Sequence, residues 1–218
     1  LEFIVKNKTV TLENQYLQGA CLIADISGFV KLCGDLSKCG AEGFDDLQIC
    51  TRSFIGELVK IVYHYGGDVI SFAGDAIICF FPSNDPGYCC RRAMICAFEM
   101  KELRSLNLTA HIGVSFGEIC FVTLGGYDNQ WVYLMSGEPL EEISLCVNDA
   151  KSGEAVVTSK CYQLVESLPN SSYDGLIFEL IPSSGNFKLL AINSQNLSTK
   201  SSLRPSLPHI TQALDKIL

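Results

Sequence analysis

Two aspartates, Asp25 and Asp75, have the residue type and surroundings that divalent metal chemistry requires. Asp25 ends the apolar run "CLIAD", which is typical of a buried strand, and Asp75 lies in a Gly-containing turn between two further apolar runs. Carboxylates on strand ends, without a neighbouring His or Cys, favour Mg²⁺ or Mn²⁺ over zinc. Two carboxylates about 4 Å apart repel by about 4 kcal/mol at an effective dielectric of about 20, so a cation is expected between them.

The segment after Asp25 predicts an anion site at the start of a helix, where the first backbone N–H groups have no partner within the helix. The groups expected there belong to Ile26, Ser27, Gly28, Phe29 and Val30. A purely structural interpretation is also open, in which Asp75 only shapes the turn and Asp25 or Ser27 caps the helix. Carboxylates beside an anion site favour binding of a nucleoside triphosphate.

The elements that must position these residues follow from hydrophobic periodicity. Helices are predicted at 41–65, 86–105 and 137–150. Strands are predicted at 21–25, 69–72, 76–81, 108–115, 118–124 and 131–135. The order of strand, helix, hairpin, helix and strand is the split βαβ pattern, an α+β fold with a mostly antiparallel sheet and helices on one face. There the strand after the hairpin turn pairs with the first strand, so Asp25 and Asp75 should meet at one edge.

Composition excludes several classes of protein. The chain has 16 basic and 24 acidic residues, a net charge of −8, and no basic cluster, which argues against nucleic acid as a partner. No apolar run reaches the length of about 20 residues that spans a bilayer, so no membrane segment is expected in this chain. Eleven cysteines, an odd number that includes the adjacent Cys89 and Cys90, indicate reduced thiols in a cytoplasmic protein.

The domain organisation is expected to have three parts. Residues 1–18 are weakly patterned and form a lead-in, and residues 19–192 form one domain. Residues 193–218 combine a Ser-rich connector with a short amphipathic helix and form a C-terminal extension. Because the chain begins at Leu1 instead of Met, we expect a domain of a longer polypeptide, whose other parts would carry any tether to a membrane or organelle.

Three motifs resemble the class III nucleotidyl cyclases. They are "ADISGF" at 24–29, "GGDVISFAGDAI" at 66–77 and "HIGVSFGEI" at 111–119. Within that family the likeness is greatest to the first cyclase domain of the bicarbonate-responsive soluble adenylyl cyclases, over about residues 19–165. The resemblance implies the class III cyclase fold, which agrees with the split βαβ pattern. It also implies an adenylate cyclase, a lyase that converts ATP to 3′,5′-cyclic AMP and pyrophosphate in intracellular signalling.

The resemblance assigns roles to the two aspartates. Asp25 and Asp75 would hold two divalent ions, Mg²⁺ or Mn²⁺, with the carbonyl of Ile26 as an additional ligand. One ion would activate the ribose 3′-hydroxyl and the other would hold the triphosphate. The backbone from Ile26 to Val30 would cradle the β and γ phosphates, and Gly74 would also lie at the nucleotide.

Two residues of the implied site have alternatives that stay open. The side chain of Phe29 is equally suited to filling the core beneath the helix. His111 occupies a position where family members often have a Lys or Arg that contacts the triphosphate, but it is better suited to being a partly buried histidine with satisfied hydrogen bonds.

The chain departs from the family pattern on the other half of the site. Class III sites form between two cyclase domains, and the positions of the base-reading Lys, the Asn and the transition-state Arg hold Ser71, Glu141 and Leu145. A second cyclase domain, in the same or another chain, must therefore supply them in a pseudo-heterodimer. The Lys and Arg that the related enzymes use for bicarbonate correspond to Ser71 and Ser144, which argues against activation by bicarbonate.

Two other functions remain open from the sequence. The domain would be a catalytically silent scaffold that dimerises with a partner and regulates it, or a guanylyl cyclase, since the base-reading residues lie outside this chain. The presence of both Asp25 and Asp75 argues against the scaffold, because a purely structural domain has no need of a repelling pair.

Overall fold

The computed structural model of the chain describes residues 14–105, 108–127, 130–168 and 175–192. For residues 123–127 and 130–133 it describes the backbone only. The strands in these ranges are β1 (Gln15–Ser27), β2 (Asp68–Ala73), β3 (Ala76–Pro82), β4 (Thr109–Tyr127), β5 (Gln130–Ser136), β6 (Ala155–Val157), β7 (Leu176–Leu180) and β8 (Phe187–Ile192). The α-helices are α1 (Phe29–Leu36), α2 (Ala41–His64), α3 (Pro86–Glu102), α4 (Glu138–Asp149) and α5 (Ser159–Glu166).

All eight of these strands belong to one sheet. Its order is β2-β3-β1-β4-β6-β8-β7, and β5 pairs with the second half of β4. The β4–β6 pair is parallel and the other pairs are antiparallel. Strand β1, helix α2, the β2–β3 hairpin, helix α3 and strand β4 follow one another as the split βαβ pattern requires. The prediction of an α+β fold with a mostly antiparallel sheet is confirmed.

The helix boundaries have local chemical causes. Helix α2 ends where the Gly pair predicts, because Gly66 adopts a left-handed φ of 71° that stops the helix. Helix α3 begins at Pro86 and is capped by Asp85, whose side chain accepts a hydrogen bond from the backbone N–H of Tyr88. It ends at Glu102, three residues before the predicted end.

Two strands are longer than the sequence pattern predicts. Strand β1 extends from Gln15 to Ser27, so the last residues of the expected lead-in already belong to the sheet. The two strands predicted at 108–115 and 118–124 are one strand, β4, because its ladder with β1 continues through Gly117 without a break. A Cβ at Gly117 would lie 2.5 Å from Cγ of Pro139, so this glycine permits close packing and does not mark a turn.

The larger core lies between the sheet and the helices α1, α2, α3 and α5. Alternate residues of β1 point into it, as the two-residue period of a strand requires. They are Ala20, Leu22, Ala24 and Ile26. From α2 the four-residue spacing of Phe54, Leu58 and Val62 places one stripe against them. The two helices of the split βαβ unit therefore pack on the same face, as predicted.

Helix α4 packs on the opposite face of the sheet. Its Ile143 joins a second buried cluster with Cys21 of β1 and Ile119 of β4. Gly113 makes this approach possible, because a Cβ there would lie 2.8 Å from Cγ2 of Val147 and 2.9 Å from the carbonyl oxygen of Ile143. The sheet thus has helices on both faces, and the expectation of helices on one face holds only for the split βαβ unit.

The connector and amphipathic helix predicted within 193–218, and residues 1–13 of the lead-in, lie outside the described residues. In the parts that the structure describes, no helix has both the length and the apolar character that a membrane crossing requires.

Candidate functional site

The two aspartates meet at the edge of the sheet where β1 ends and β3 begins. Asp25 lies directly opposite Ala76 in the β1–β3 ladder. Asp75 immediately precedes Ala76 and forms, with Gly74, the two-residue turn of the β2–β3 hairpin. Gly74 has a left-handed φ of 65°, which suits such a turn. The pairing of β1 with β3 therefore brings Asp25 and Asp75 together, as predicted.

The surroundings of Asp25 raise its pKa above the usual value for an aspartate. Burial is the largest cause, since the side chain is only 32% exposed, and the nearby carboxyl of Asp75 adds a like charge and a side-chain hydrogen bond. His111 and the backbone N–H of Ile26 act in the opposite direction and favour the ionised form. Asp75 itself lies exposed at the turn. A cation at this edge would relieve the repulsion that raises the pKa of Asp25.

His111 connects Asp25 to Ser27. It lies opposite Asp25 in the β1–β4 ladder, and its Nε2 is 3.1 Å from Oδ2 of Asp25. Its Nδ1 is 2.9 Å from Oγ of Ser27, two residues further along β1 on the same face. The expected partly buried histidine with satisfied hydrogen bonds is therefore the observed one. The sequence alone does not predict these two partners. Only the register of the antiparallel β1–β4 pair, which places His111 opposite Asp25, would have indicated them.

The segment after Asp25 begins its helix later than predicted, because Ile26 and Ser27 still belong to β1 and pair with β4. Strand β1 continues through Ser27, and α1 begins at Phe29 after Gly28, which has a left-handed φ of 94°. No side chain caps this helix, so the structural interpretation of Asp25 or Ser27 as a cap is wrong. The Phe29 side chain packs against the core, as the open alternative held, whereas Val30 is 84% exposed.

The positions that correspond to the other half of the family's site lie on β2 and α4. Ser71 is exposed on β2. On α4, Glu141 and Leu145 are exposed, and the hydroxyl of Ser144 donates to the carbonyl of Leu140 within the helix. None of these four side chains can act as a cation toward a phosphate.

The oxygen donors at this edge suit an ion such as Mg²⁺, which needs few protein ligands, better than a metal that protein side chains enclose completely. Among the described residues, no group of three or more His, Cys, Asp and Glu side chains is arranged to hold a metal ion. Mg²⁺ is usually bound through only one or two carboxylates, and phosphates of the substrate and water complete its shell. The pair of Asp25 and Asp75 satisfies that requirement, because both offer carboxylate oxygens at one rim.

Comparison with known proteins points to cyclases. No family model matches the chain. Adenylate cyclase type 10 of Rattus norvegicus is 24% identical over 187 residues, which cover 78% of this chain and 12% of that protein. The Homo sapiens protein of the same name is 24% identical over 190 residues, again with 12% of its length covered. The chain therefore spans about 12% of the length of the curated relatives it matches.

Solved structures share the fold. The adenylyl cyclase CyaB from P. aeruginosa matches with a TM-score of 0.60 and 19% identity, over 88% of this chain and all of that chain. The guanylate cyclase domain of RhGC from Catenaria anguillulae, solved in complex with GTP, matches with a TM-score of 0.62 and 15% identity, over 83% of this chain and all of that chain. The chain is thus a weak homologue of adenylate cyclase type 10 with the fold of class III adenylyl and guanylyl cyclase domains.

Proposed function

We propose that this chain is the metal-carrying half of an adenylyl cyclase, which converts ATP to 3′,5′-cyclic AMP and pyrophosphate at an interface with a second cyclase domain. The observation that carries the proposal is the meeting of Asp25 and Asp75 at one rim of the sheet. Weak homology to adenylate cyclase type 10 supports adenine as the base. The odd number of cysteines, including adjacent Cys89 and Cys90, supports a cytoplasmic location.

The residues of this chain would bind and orient the triphosphate. Asp25 and Asp75, with the carbonyl of Ile26, would hold two divalent ions, Mg²⁺ or Mn²⁺. Ions bound there supply Lewis-acid chemistry, which activates the ribose 3′-hydroxyl and neutralises charge on the phosphates. The backbone N–H groups of Ser27, Gly28, Phe29 and Val30 would face the β and γ phosphates at the start of α1.

Two further residues lie at the phosphate side of the site. Gly74, in the exposed hairpin turn, would lie at the nucleotide, and the space beside its Cα is open. His111 lies at the same edge, but Asp25 and Ser27 engage both of its ring nitrogens, so it would act on the site through Asp25. An imidazole is also a weaker phosphate ligand than the Lys or Arg that this position often holds in the family.

A second cyclase domain is required because this chain lacks the groups that read the base and stabilise the transition state. A cation aimed at the migrating phosphoryl group contributes about 10³–10⁵ in rate. Since Leu145 stands where that Arg is expected, two copies of this chain would make a nearly inactive dimer. The partner is therefore a domain that provides Lys, Asn and Arg.

The test is to co-express the chain with a second cyclase domain that provides these three residues and lacks its own metal aspartates. Cyclic AMP and cyclic GMP are measured with Mn²⁺ and either ATP or GTP, for the wild type, Asp25→Asn and Asp75→Asn. We expect cyclic AMP from the wild type and a loss of at least about 100-fold in both variants. Ser144→Ala serves as the control and should retain activity.

Three other outcomes decide between the remaining functions. Formation of cyclic GMP in place of cyclic AMP would make the chain half of a guanylyl cyclase. Equal activity of the wild type and Asp25→Asn in the presence of the partner would identify a regulatory scaffold. High activity of the chain without any partner would overturn the pseudo-heterodimer.

A further inference from the structure

His111 is held between two side chains of β1 at the rim of the proposed metal site. Its Nε2 lies 3.1 Å from Oδ2 of Asp25 and its Nδ1 lies 2.9 Å from Oγ of Ser27. The His111 side chain is 20% exposed, so both ring nitrogens are engaged in a largely enclosed position. These three residues lie on the same face of neighbouring strands, in the register that pairs Asp25 with His111.

The direction of both hydrogen bonds follows from the chemistry of the groups. An ionised carboxylate has no hydrogen to donate, so the hydrogen between Asp25 and His111 belongs to Nε2. A neutral imidazole with its hydrogen on Nε2 can only accept at Nδ1. In this neutral form the hydroxyl of Ser27 donates to Nδ1, and the donors run from Ser27 through His111 to Asp25; in the imidazolium form Nδ1–H donates to Ser27, and Nε2–H still donates to Asp25.

The start of α1 has no side-chain cap, because its N-cap residue is Gly28. With a neutral imidazole, the hydroxyl hydrogen of Ser27 is committed to His111, and no side chain forms a capping bond at this helix. Phosphate binding at this segment would depend on backbone N–H groups, whereas the Ser27 hydroxyl bonds to His111 beside Asp25.

We infer that His111 is a positioning residue, which orients the carboxylate of Asp25 for a divalent ion through its Nε2–H while Ser27 fixes the ring. The inference rests on the proposed function, because it assigns the ion to Asp25. The imidazole holds Oδ2 of the carboxylate, which fixes the direction in which Oδ1 is presented at the rim that Asp25 shares with Asp75. Hydrogen-bond partners of metal-binding carboxylates commonly contribute about 10–100-fold to metal affinity.

The experiment titrates the whole 218-residue chain with Mn²⁺ alone and follows free Mn²⁺ by electron paramagnetic resonance. We expect His111→Ala to weaken Mn²⁺ binding by about 10–100-fold. His111→Gln keeps an N–H donor at a reach similar to Nε2 and should lose less than about 3-fold. Ser27→Ala releases the ring and should lose about 2–10-fold, the size of one hydrogen bond.

Two controls separate positioning from folding. Ser167→Ala removes a hydrogen bond to the carbonyl of Leu164 at the end of α5, a helix that packs on the other face of the sheet, so Mn²⁺ affinity should not change. Thermal unfolding without metal is measured for every variant, and affinities are compared only between folded proteins. If His111→Ala does not fold, Ser27→Ala decides, because an unchanged Mn²⁺ affinity in that variant would overturn the positioning role.

The outcomes distinguish this inference from the proposed function. Equal Mn²⁺ affinity of the wild type, His111→Ala and Ser27→Ala, with weaker binding by Asp25→Asn, would overturn the inference and leave the proposed function intact. A loss in His111→Gln as large as in His111→Ala would overturn the role of the Nε2–H donor. If Asp25→Asn binds Mn²⁺ as tightly as the wild type, the metal site is wrong and both proposals fail.

Discussion

The carboxyl groups of Asp25 and Asp75 interact directly across the rim of the sheet, and this contact adds to burial in raising the pKa of Asp25. A carboxyl whose pKa is higher in the folded than in the unfolded state destabilises the fold at any pH where it is ionised. The pair is therefore unfavourable in the metal-free protein.

Asp25→Asn should stabilise the metal-free chain. The change removes a charge from a partly buried site, and the amide oxygen can still accept from His111. We expect a gain on the order of 1 kcal/mol at neutral pH, or roughly 2–4 °C in the midpoint of thermal unfolding. Because the pKa is raised, the gain should shrink as pH falls through the folded-state pKa toward 3.8, the ordinary value. Circular dichroism melts over this pH range test it.

Asp46→Asn is the matched control, since Asp46 is exposed on α2 and its replacement should change stability by less than about 0.5 kcal/mol. A lower melting point for Asp25→Asn at neutral pH would contradict the destabilising role of Asp25.

Glu154→Gln should change stability in the opposite direction and destabilise the chain at neutral pH. Burial acts to raise the pKa of Glu154, but the hydrogen bond and charge of Lys188, with the backbone N–H of Lys151, outweigh it and lower the pKa. A lowered pKa stabilises the fold above the ordinary value of 4.5, and this contribution disappears as pH falls through the folded-state pKa. We expect a loss of about 1 kcal/mol at neutral pH and a smaller loss in acid, measured by urea unfolding.

The exposed pair of Glu57 and Lys60, three residues apart on α2, provides the comparison. Glu57→Gln should cost less than about 0.5 kcal/mol, because an ion pair between solvated side chains contributes little. Equal losses for the two variants would show that the Glu154 pair has no special role in joining β6 to β8.

Gly113→Ala should destabilise the chain by about 1–3 kcal/mol. The new Cβ would lie 2.8 Å from Cγ2 of Val147 and 2.9 Å from the carbonyl oxygen of Ile143, so α4 would have to move away from β4. Gly56→Ala is the counterpart, because Gly56 lies within α2 with no atom near a new Cβ. It should gain roughly 0.5–1 kcal/mol from helix propensity. Chemical denaturation measures both, and a neutral Gly113→Ala would refute the close packing of α4.

Thiol labelling of the native chain should separate two groups of cysteines. Four are at least partly accessible and should react: Cys33, Cys39, Cys50 and Cys120. Seven are buried and should react only after unfolding: Cys21, Cys79, Cys89, Cys90, Cys96, Cys146 and Cys161. Burial also raises the pKa of Cys21 to about 12, which lowers its reactive thiolate fraction. Mass spectrometry locates the labelled sites, and rapid native labelling of Cys79 or Cys96 would contradict the core as described.

The sequence predicts the meeting of Asp25 and Asp75 because it depends on one hairpin turn and one strand pairing, both of which leave local signals. The contact of His111 with Asp25 and Ser27 depends instead on the register of β1 with β4, two strands far apart in the sequence. Nothing local determines that register, so the sequence predicts His111 at the site but does not predict its partners.

The face on which α4 packs could not be predicted for a similar reason. The hydrophobic pattern indicates the helix at 137–150, but Gly113 and Gly117 become contact positions only once β4 lies beneath it. Taken alone, Gly117 resembles a turn residue, which is why one strand was predicted as two.

Strand β4 is common to both layers of the domain. It carries His111 near its beginning. Further along, Gly113 packs against Val147 of α4 and Gly117 packs against Pro139 of the same helix. Packed interiors have low compressibility and transmit strain. A partner that binds α4 and displaces it would therefore also displace the β4 backbone that carries His111. The rim that carries Asp25 and the outer helix are thus joined through one strand, so a displacement of α4 should be felt at His111.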